Sequence, residues 1–319
     1  MSLAVHARTT DTPNKPAPSL RGSKKPFVSL GVLLIVVGIL SGLASVLALT
    51  IPNWILQEIP RYIAEFCVLF LFILVFGYLL PVGHFYYTYY LSKKSDPQKH
   101  IQNRWPTHEG IQREIRLSLV TIAIFAAMGT VLYEMYLADL TSVYRPFSKY
   151  PIYFPLSVLL CALLHDTYFY WTHRLMHWRP LFKYMHAGHH RSVTPTPWAT
   201  YAFQPAEAVV QFTGIMLLVI FVPLSPLALF LFLWWDTMMN TAGHTGFEVV
   251  PRRVSNHWLF HFFNTVTHHD NHHTNMRVNY GSFFNIWDRV MGTHYAAPQV
   301  GKPEPRARRC LAAKQRYNV

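Results

Sequence analysis

Thirteen of the 18 histidines fall between His165 and His273, eleven of them in three blocks and one single position. The first block starts at His165 and ends in His173-Arg-Leu-Met-His177. Four residues apart on a helix, the last two rings leave one face and can reach one metal ion. The second block is His186-Ala-Gly-His189-His190, whose adjacent histidines point to different ions or to different sides of one cage. The third is His268-His269-Asp-Asn-His272-His273, and the single position is His244, at the end of an apolar stretch. A lone histidine is usually a packed or surface ring with a satisfied hydrogen bond, and His6, His84, His100, His108, His257, His261 and His294 are read so. The blocks resist that reading. Crowded imidazoles repel when protonated and cost desolvation when buried, and a shared metal ion, which binds the neutral ring, removes both penalties. His173, His177, His186, His189, His190, His244, His269, His272 and His273 are the candidate ligands. They exceed the needs of one tetrahedral site, so two ions are expected.

Imidazole suits zinc, copper, iron and nickel, and spacing does not choose among them. No cysteines stand at ligand spacing: Cys67 and Cys161 lie in apolar runs and Cys310 is near the C-terminus. Asp166, Asp236, Asp270 and Glu248 lie among the histidines. A carboxylate beside a metal-bound histidine commonly takes its other ring N–H, and Asp166 and Asp270 are assigned that role.

The elements that must position these residues are apolar. The chain has 319 residues, 51% hydrophobic and 13% charged, where soluble domains average about 25% charged. Apolar runs cover 27–51, about 62–90, 117–140 and 152 onward into His165. A crossing helix needs about 20 such residues. A fifth block, 206–239, is broken by Pro223 and Pro226 and reads as two helices joined by a tight turn. The expected fold class is all-α: a polytopic membrane protein with about four transmembrane helices plus a re-entrant helical hairpin, capped by a histidine-rich dimetal region. Residues 1–26 read as a disordered tail, 27–151 as transmembrane helices with a basic loop, 152–295 as the catalytic region and 296–319 as a basic tail.

The net charge of +13 would suggest nucleic acid in a soluble protein. Here the basic residues flank apolar runs: Arg21, Lys24 and Lys25, then Lys93, Lys94, Lys99, Arg104, Arg113 and Arg116, then Arg174, Arg179, Lys183 and Arg191. That pattern is membrane topology rather than a nucleic-acid surface. It places the N-terminus, the second basic loop and the whole histidine region in the cytoplasm. Arg145 and Lys149 on the opposite side make the bias incomplete.

At its histidine blocks the chain resembles the sterol desaturase / fatty acid hydroxylase superfamily. That family's HxxxH, HxxHH and HxxHH boxes read here as His173–His177, His186–His189–His190 and His269–His272–His273. The flanks Tyr170-Trp171-Thr172-His173-Arg174, Asn279-Tyr280-Gly281 and Trp287-Asp288-Arg289 match too. The stretches starting at Ile101 and Ser192 are most similar to the sterol C5-desaturase (lathosterol oxidase) branch, which usually has histidine where this chain has Gln204. His244 matches a further family ligand, and Asn240 stands one turn earlier, where some members have another. The resemblance implies two iron ions (zinc being possible in a purified form), O2 as oxidant and a membrane lipid substrate. It also implies electrons from a carrier such as cytochrome b5 or ferredoxin with its reductase, which the basic face would attract. The outcome would be desaturation or hydroxylation of a C–H position, on a sterol ring or on an acyl chain or polar lipid such as an ornithine lipid. The inner membrane of a bacterium or the endoplasmic reticulum of a eukaryote would house it. A metal transporter or a zinc-binding membrane protein is the alternative of another class.

Overall fold

The computed structural model describes residues 53–92, 100–102, 104–255 and 257–295. The expected tails and the apolar run 27–51 lie outside them. Residues 1–59 and 60–319 are two compact units; of the first, only the beginning of a helix is described. The described residues are helical and contain no strand, only isolated bridges such as Val143–Leu224.

Helix α1 (Asn53–Phe72) continues through a π-helical stretch, α2 (Leu80–Tyr86) and a second π-helical stretch to Leu91. Helix α3 (His108–Leu137) begins well before its apolar run, because Thr107 caps it: the Thr107 hydroxyl accepts from the Gly110 N–H. Two helices, Gln57–Leu91 and His108–Leu137, are long and apolar enough to cross a membrane by length and composition. Helix α3 is built inside out relative to a soluble helix. Its buried positions include Ser118, Thr121, Ala126 and Thr130, while Leu119, Val120 and Val131 face outward. Small and hydroxyl-bearing side chains inward with apolar ones outward suit a helix whose solvent is lipid.

Helix α4 (Tyr153–Met176) carries the fourth apolar run and stays helical past His165 into the first histidine block. Short helices α5 (Arg179–Met185) and α6 (Ala187–His190) follow. The block at 206–239 is a hairpin of α7 (Pro205–Phe221) and α8 (Pro226–Gly243). Both helices start with proline in their first turn, where its missing N–H costs nothing, and the Ser225 hydroxyl caps α8 by accepting from the Ala228 N–H. The hairpin tip is laced to the α3–α4 connection: Tyr144 N–H donates to the Leu224 carbonyl at 2.9 Å and Ser142 Oγ to the Ile220 carbonyl at 2.7 Å. Hence α4 and α8 both run from this tip end toward the opposite, histidine-bearing end. There α9 (Arg252–Ser255), α10 (Val266–Thr274) and α11 (Ile286–Val290) complete the chain.

Candidate metal centre

Nine histidines converge at that end, in two sets. His173, His177, His186, His190 and His272 form one; His189, His244, His269 and His273 form the other. Within each set the ligand atoms all lie within 4.8 Å of one another. Helical geometry does much of this: His173 occupies the last turn of α4 with His177 as its C-cap, and His244 is the C-cap of α8. Adjacent residues split, His189 from His190 and His272 from His273, because neighbours on a helix point about 100° apart.

In the five-histidine set the Nε2 atoms of His173 and His186 are 2.9 Å apart, those of His177 and His272 3.1 Å, and those of His272 and His190 3.1 Å. In the other set, His269 and His244 are 3.0 Å apart and His273 and His269 3.1 Å. Several of these contacts join lone pairs rather than a donor to an acceptor, because the other ring nitrogen is already committed. His173 Nδ1 donates to the Tyr280 carbonyl at 2.8 Å, His272 Nδ1 to the Val278 carbonyl at 2.7 Å, and His244 Nδ1 to the Asn240 carbonyl at 2.8 Å. His186 Nδ1 lies 2.6 Å from Glu207 Oε1. Each of these neutral rings then turns a bare Nε2 inward. Converging lone pairs need a cation between them. Two nitrogens held at right angles about 2.1 Å from one ion stand about 3.0 Å apart, which is the spacing found. The residues therefore fit two imidazole-bound metal ions.

Electrostatics agrees. Burial, and then the neighbouring imidazoles, push His177, His186, His189, His190, His269 and His273 well below the ordinary histidine range. Burial alone lowers His244 to about 4, against a backbone hydrogen bond that raises it. All are neutral near pH 7, the form that binds metal.

The carboxylates sit differently from the expectation. The hydrogen bonds of Asp166 and Asp270 among the described residues do not reach a histidine. Asp166 Oδ1 accepts the backbone N–H groups of Ser282, Phe283 and Phe284 at 3.1, 2.7 and 3.2 Å. Asp288, also buried, accepts the N–H groups of Tyr280 and Gly281 at 2.9 and 2.8 Å. Together they clamp the segment whose Tyr280 carbonyl orients His173. A Cβ at Gly281 would lie 2.2 Å from the Phe284 carbonyl oxygen, so the clamp needs glycine. Asp270 accepts from Gln102 Nε2 and ties residues 100–102 to α10. The Asn240 side chain donates through Nδ2 to the Thr200 carbonyl at 2.9 Å, and its backbone oxygen accepts from His244 Nδ1. Among the described residues, a carboxylate that does meet one of the nine histidines is Glu207, 1% exposed, on the first turn of α7. No spacing signal marks it, since it lies 21 residues from His186 and meets it only when α7 packs beside α5 and α6. Gln204 accepts the Gly188 N–H at 2.8 Å and so braces the second block through its backbone. His165 packs on Phe232 and Phe283 outside both sets, and His268 completes the N-terminal capping box of α10.

Residues 158–293 match the family model "Fatty acid hydroxylase". Among curated proteins, the chain is 27% identical to a Delta(7)-sterol 5(6)-desaturase of Gibberella zeae, over 75% of this chain and 71% of that one. It is 27% identical to lathosterol oxidase of Rattus norvegicus, over 66% and 67%. It is 31% identical to methylsterol monooxygenase 1 of the rat, over 44% and 47%. No solved structure matches the chain.

Proposed function

Residues 158–293 are a fatty acid hydroxylase family region, and from that premise we propose that the chain is a membrane-bound dimetal oxidoreductase. It uses O2 and donated electrons to desaturate or hydroxylate a C–H position of a lipid, in the manner of a sterol 5(6)-desaturase. The observation that carries this is the convergence of nine Nε2-presenting histidines into two adjacent sets. A transporter would hold its ligands in mid-membrane, whereas these stand at helix ends.

When bound, two iron ions supply the activation of O2. The chain's residues do the rest. The five-histidine and four-histidine sets would hold the ions; Glu207 and the carbonyls of Asn240, Val278 and Tyr280 orient the rings. Asp166 and Asp288 hold residues 280–284 in place. In a desaturation the lipid gives up two electrons and two protons, the donor adds two electrons, two further protons enter from solvent, and O2 leaves as two waters. The protein is multi-pass with the histidine end in the cytoplasm, where Arg104, Arg113, Arg116, Arg179 and Lys183 offer an acidic cytochrome b5 or ferredoxin a docking face.

The test is metal analysis of the purified protein with O2 uptake, and lipid profiling of cells carrying it or His189→Ala. Two irons per chain, reductant-dependent O2 uptake and a lipid that accumulates only with the variant are expected. A metal-loaded protein with no O2 uptake and an unchanged lipid profile overturns the reading.

A further inference from the structure

A row of oxidisable rings joins the five-histidine set to the protein surface. The Tyr280 ring centre stands 5.7, 5.2 and 5.4 Å from those of His173, His177 and His272. Tyr170 lies 6.1 Å from Tyr280. Tyr170 in turn meets Trp171 at 5.4 Å and stacks on Trp287 at 6.1 Å, and the two tryptophans meet at 5.5 Å. These are ordinary contact distances between aromatic rings. Tyr170 is fully buried, whereas Trp171 is 44% exposed. An electron crosses rings in contact far more readily than an equal width of aliphatic packing or water.

Packing accounts for the contacts, and the hydrogen bonds of Tyr170 add a place for charge to rest. Arg174 Nη1 donates to the Tyr170 phenol oxygen at 3.0 Å. Thr293 Oγ1 donates to the buried Asp288 Oδ1 at 2.7 Å. A hydroxyl has one proton to give, so at the 3.0 Å contact between the two hydroxyls Tyr170 donates to Thr293. A continuous path thus leads from the Tyr170 phenol through Thr293 to a carboxylate. Tyr280 has no such path: its hydroxyl donates to the Met276 carbonyl at 3.0 Å, an oxygen too weakly basic to keep a proton. A tyrosine that gives up an electron is stabilised where its proton has a base to go to. Tyr170 meets that condition.

We propose that this row of rings is an outlet for oxidising equivalents that arise at the five-histidine set when no lipid C–H bond is in reach, with Tyr170 as their resting place. The proposal rests on the lipid-oxidase reading and adds a protective reaction to it. Tyr170 gives one electron, through the Tyr280 ring, to the metal centre, which is reduced by one. The phenolic proton moves to Thr293 Oγ1 while the Thr293 proton moves to Asp288, leaving a neutral tyrosyl radical. A water-soluble one-electron reductant of the ascorbate class then gives one electron at Trp171 and releases one proton to solvent. The electron restores Tyr170 as the two shifted protons return. The oxidising equivalent therefore falls on the reductant rather than on the ligand imidazoles.

The test adds hydrogen peroxide to the iron-loaded full chain in detergent micelles, so that oxidant is supplied independently of O2 activation. Protein radicals are followed by electron paramagnetic resonance in freeze-quenched samples. The parent should give a neutral tyrosyl radical that ascorbate removes. Tyr170→Phe should lose that signal and Thr293→Val most of it, both at unchanged iron content. Trp171→Leu should keep the radical and slow its removal by ascorbate severalfold. Oxidised His177 and His272 peptides, counted by mass spectrometry, should rise in Tyr170→Phe. No protein radical in the parent, the same radical in Tyr170→Phe, or removal by ascorbate at an unchanged rate in Trp171→Leu overturns the proposal. Failure of the oxidase reading would show instead as missing O2 uptake by the reduced parent, which the peroxide experiment does not read.

Discussion

The two histidine sets differ in how their rings are held. In the five-histidine set three rings have a fixed Nδ1 partner, and one of these is the buried carboxylate of Glu207. In the four-histidine set His244 has such an anchor, a backbone carbonyl, while among the described residues the Nδ1 of His273, like that of His190 in the five-histidine set, is buried without a protein acceptor. A ring fixed at its far nitrogen presents its lone pair in one direction and is made a stronger donor. The five-histidine set is thus the more pre-organised candidate ion site, and the four-histidine set the softer one. Tyr280 adds to the contrast, its ring standing 5.2 to 5.7 Å from His173, His177 and His272.

Removing a ligand breaks the comparison most directly. His272→Ala should cost the five-histidine ion and more than about 100-fold in activity, exceeding the 10–100-fold typical of supporting residues. Metal counting by mass spectrometry should find one ion fewer per chain. If both ions leave together, the sets are not independent sites.

Glu207→Gln keeps the size of the side chain and removes its charge. Affinity for one of the two ions should fall about 10–100-fold, read from chelator titration, with the second ion's curve unmoved. A uniform shift of both curves would show that Glu207 acts on the fold rather than on His186.

Gly281→Ala forces apart the segment that carries the Tyr280 carbonyl. It should lower stability by more than about 1 kcal/mol and weaken the five-histidine ion, measured by thermal unfolding with and without metal. A loss confined to the four-histidine ion would contradict the clamp.

Acid should separate the sets. Protons compete with metal for Nε2, and the less anchored set should empty first as pH falls from 7 to 5, followed by metal content after dialysis. The metal-free protein should also lose stability in acid. Its buried histidines have folded pKa values below the unfolded value of about 6.5, so the unfolded chain binds more protons and the stability present above that pH declines below it.

The smallest effect is expected at Asn240→Ala. The His244 anchor is the Asn240 backbone oxygen, which alanine retains, so only the bond to Thr200 is lost. Stability should change by about 1 kcal/mol with metal content intact.

The chain's linear pattern determined a good deal. Imidazoles at i and i+4 share a helix face whatever surrounds them, so His173 with His177 and His269 with His273 were legible as pairs, and the proline-broken block at 206–239 was legible as a hairpin. Adjacent histidines were expected to diverge, and they do, because a helix turns 100° per residue. The assignment of each ring to its set was decided only in three dimensions. So was Glu207, which reaches His186 through helix packing rather than through spacing. Asp166 and Asp270 looked like histidine partners because they are their neighbours in sequence, yet on a helix the next residue points away, and both carboxylates turn to other donors. Sequence proximity sets which face a side chain leaves from; only packing sets what that face meets.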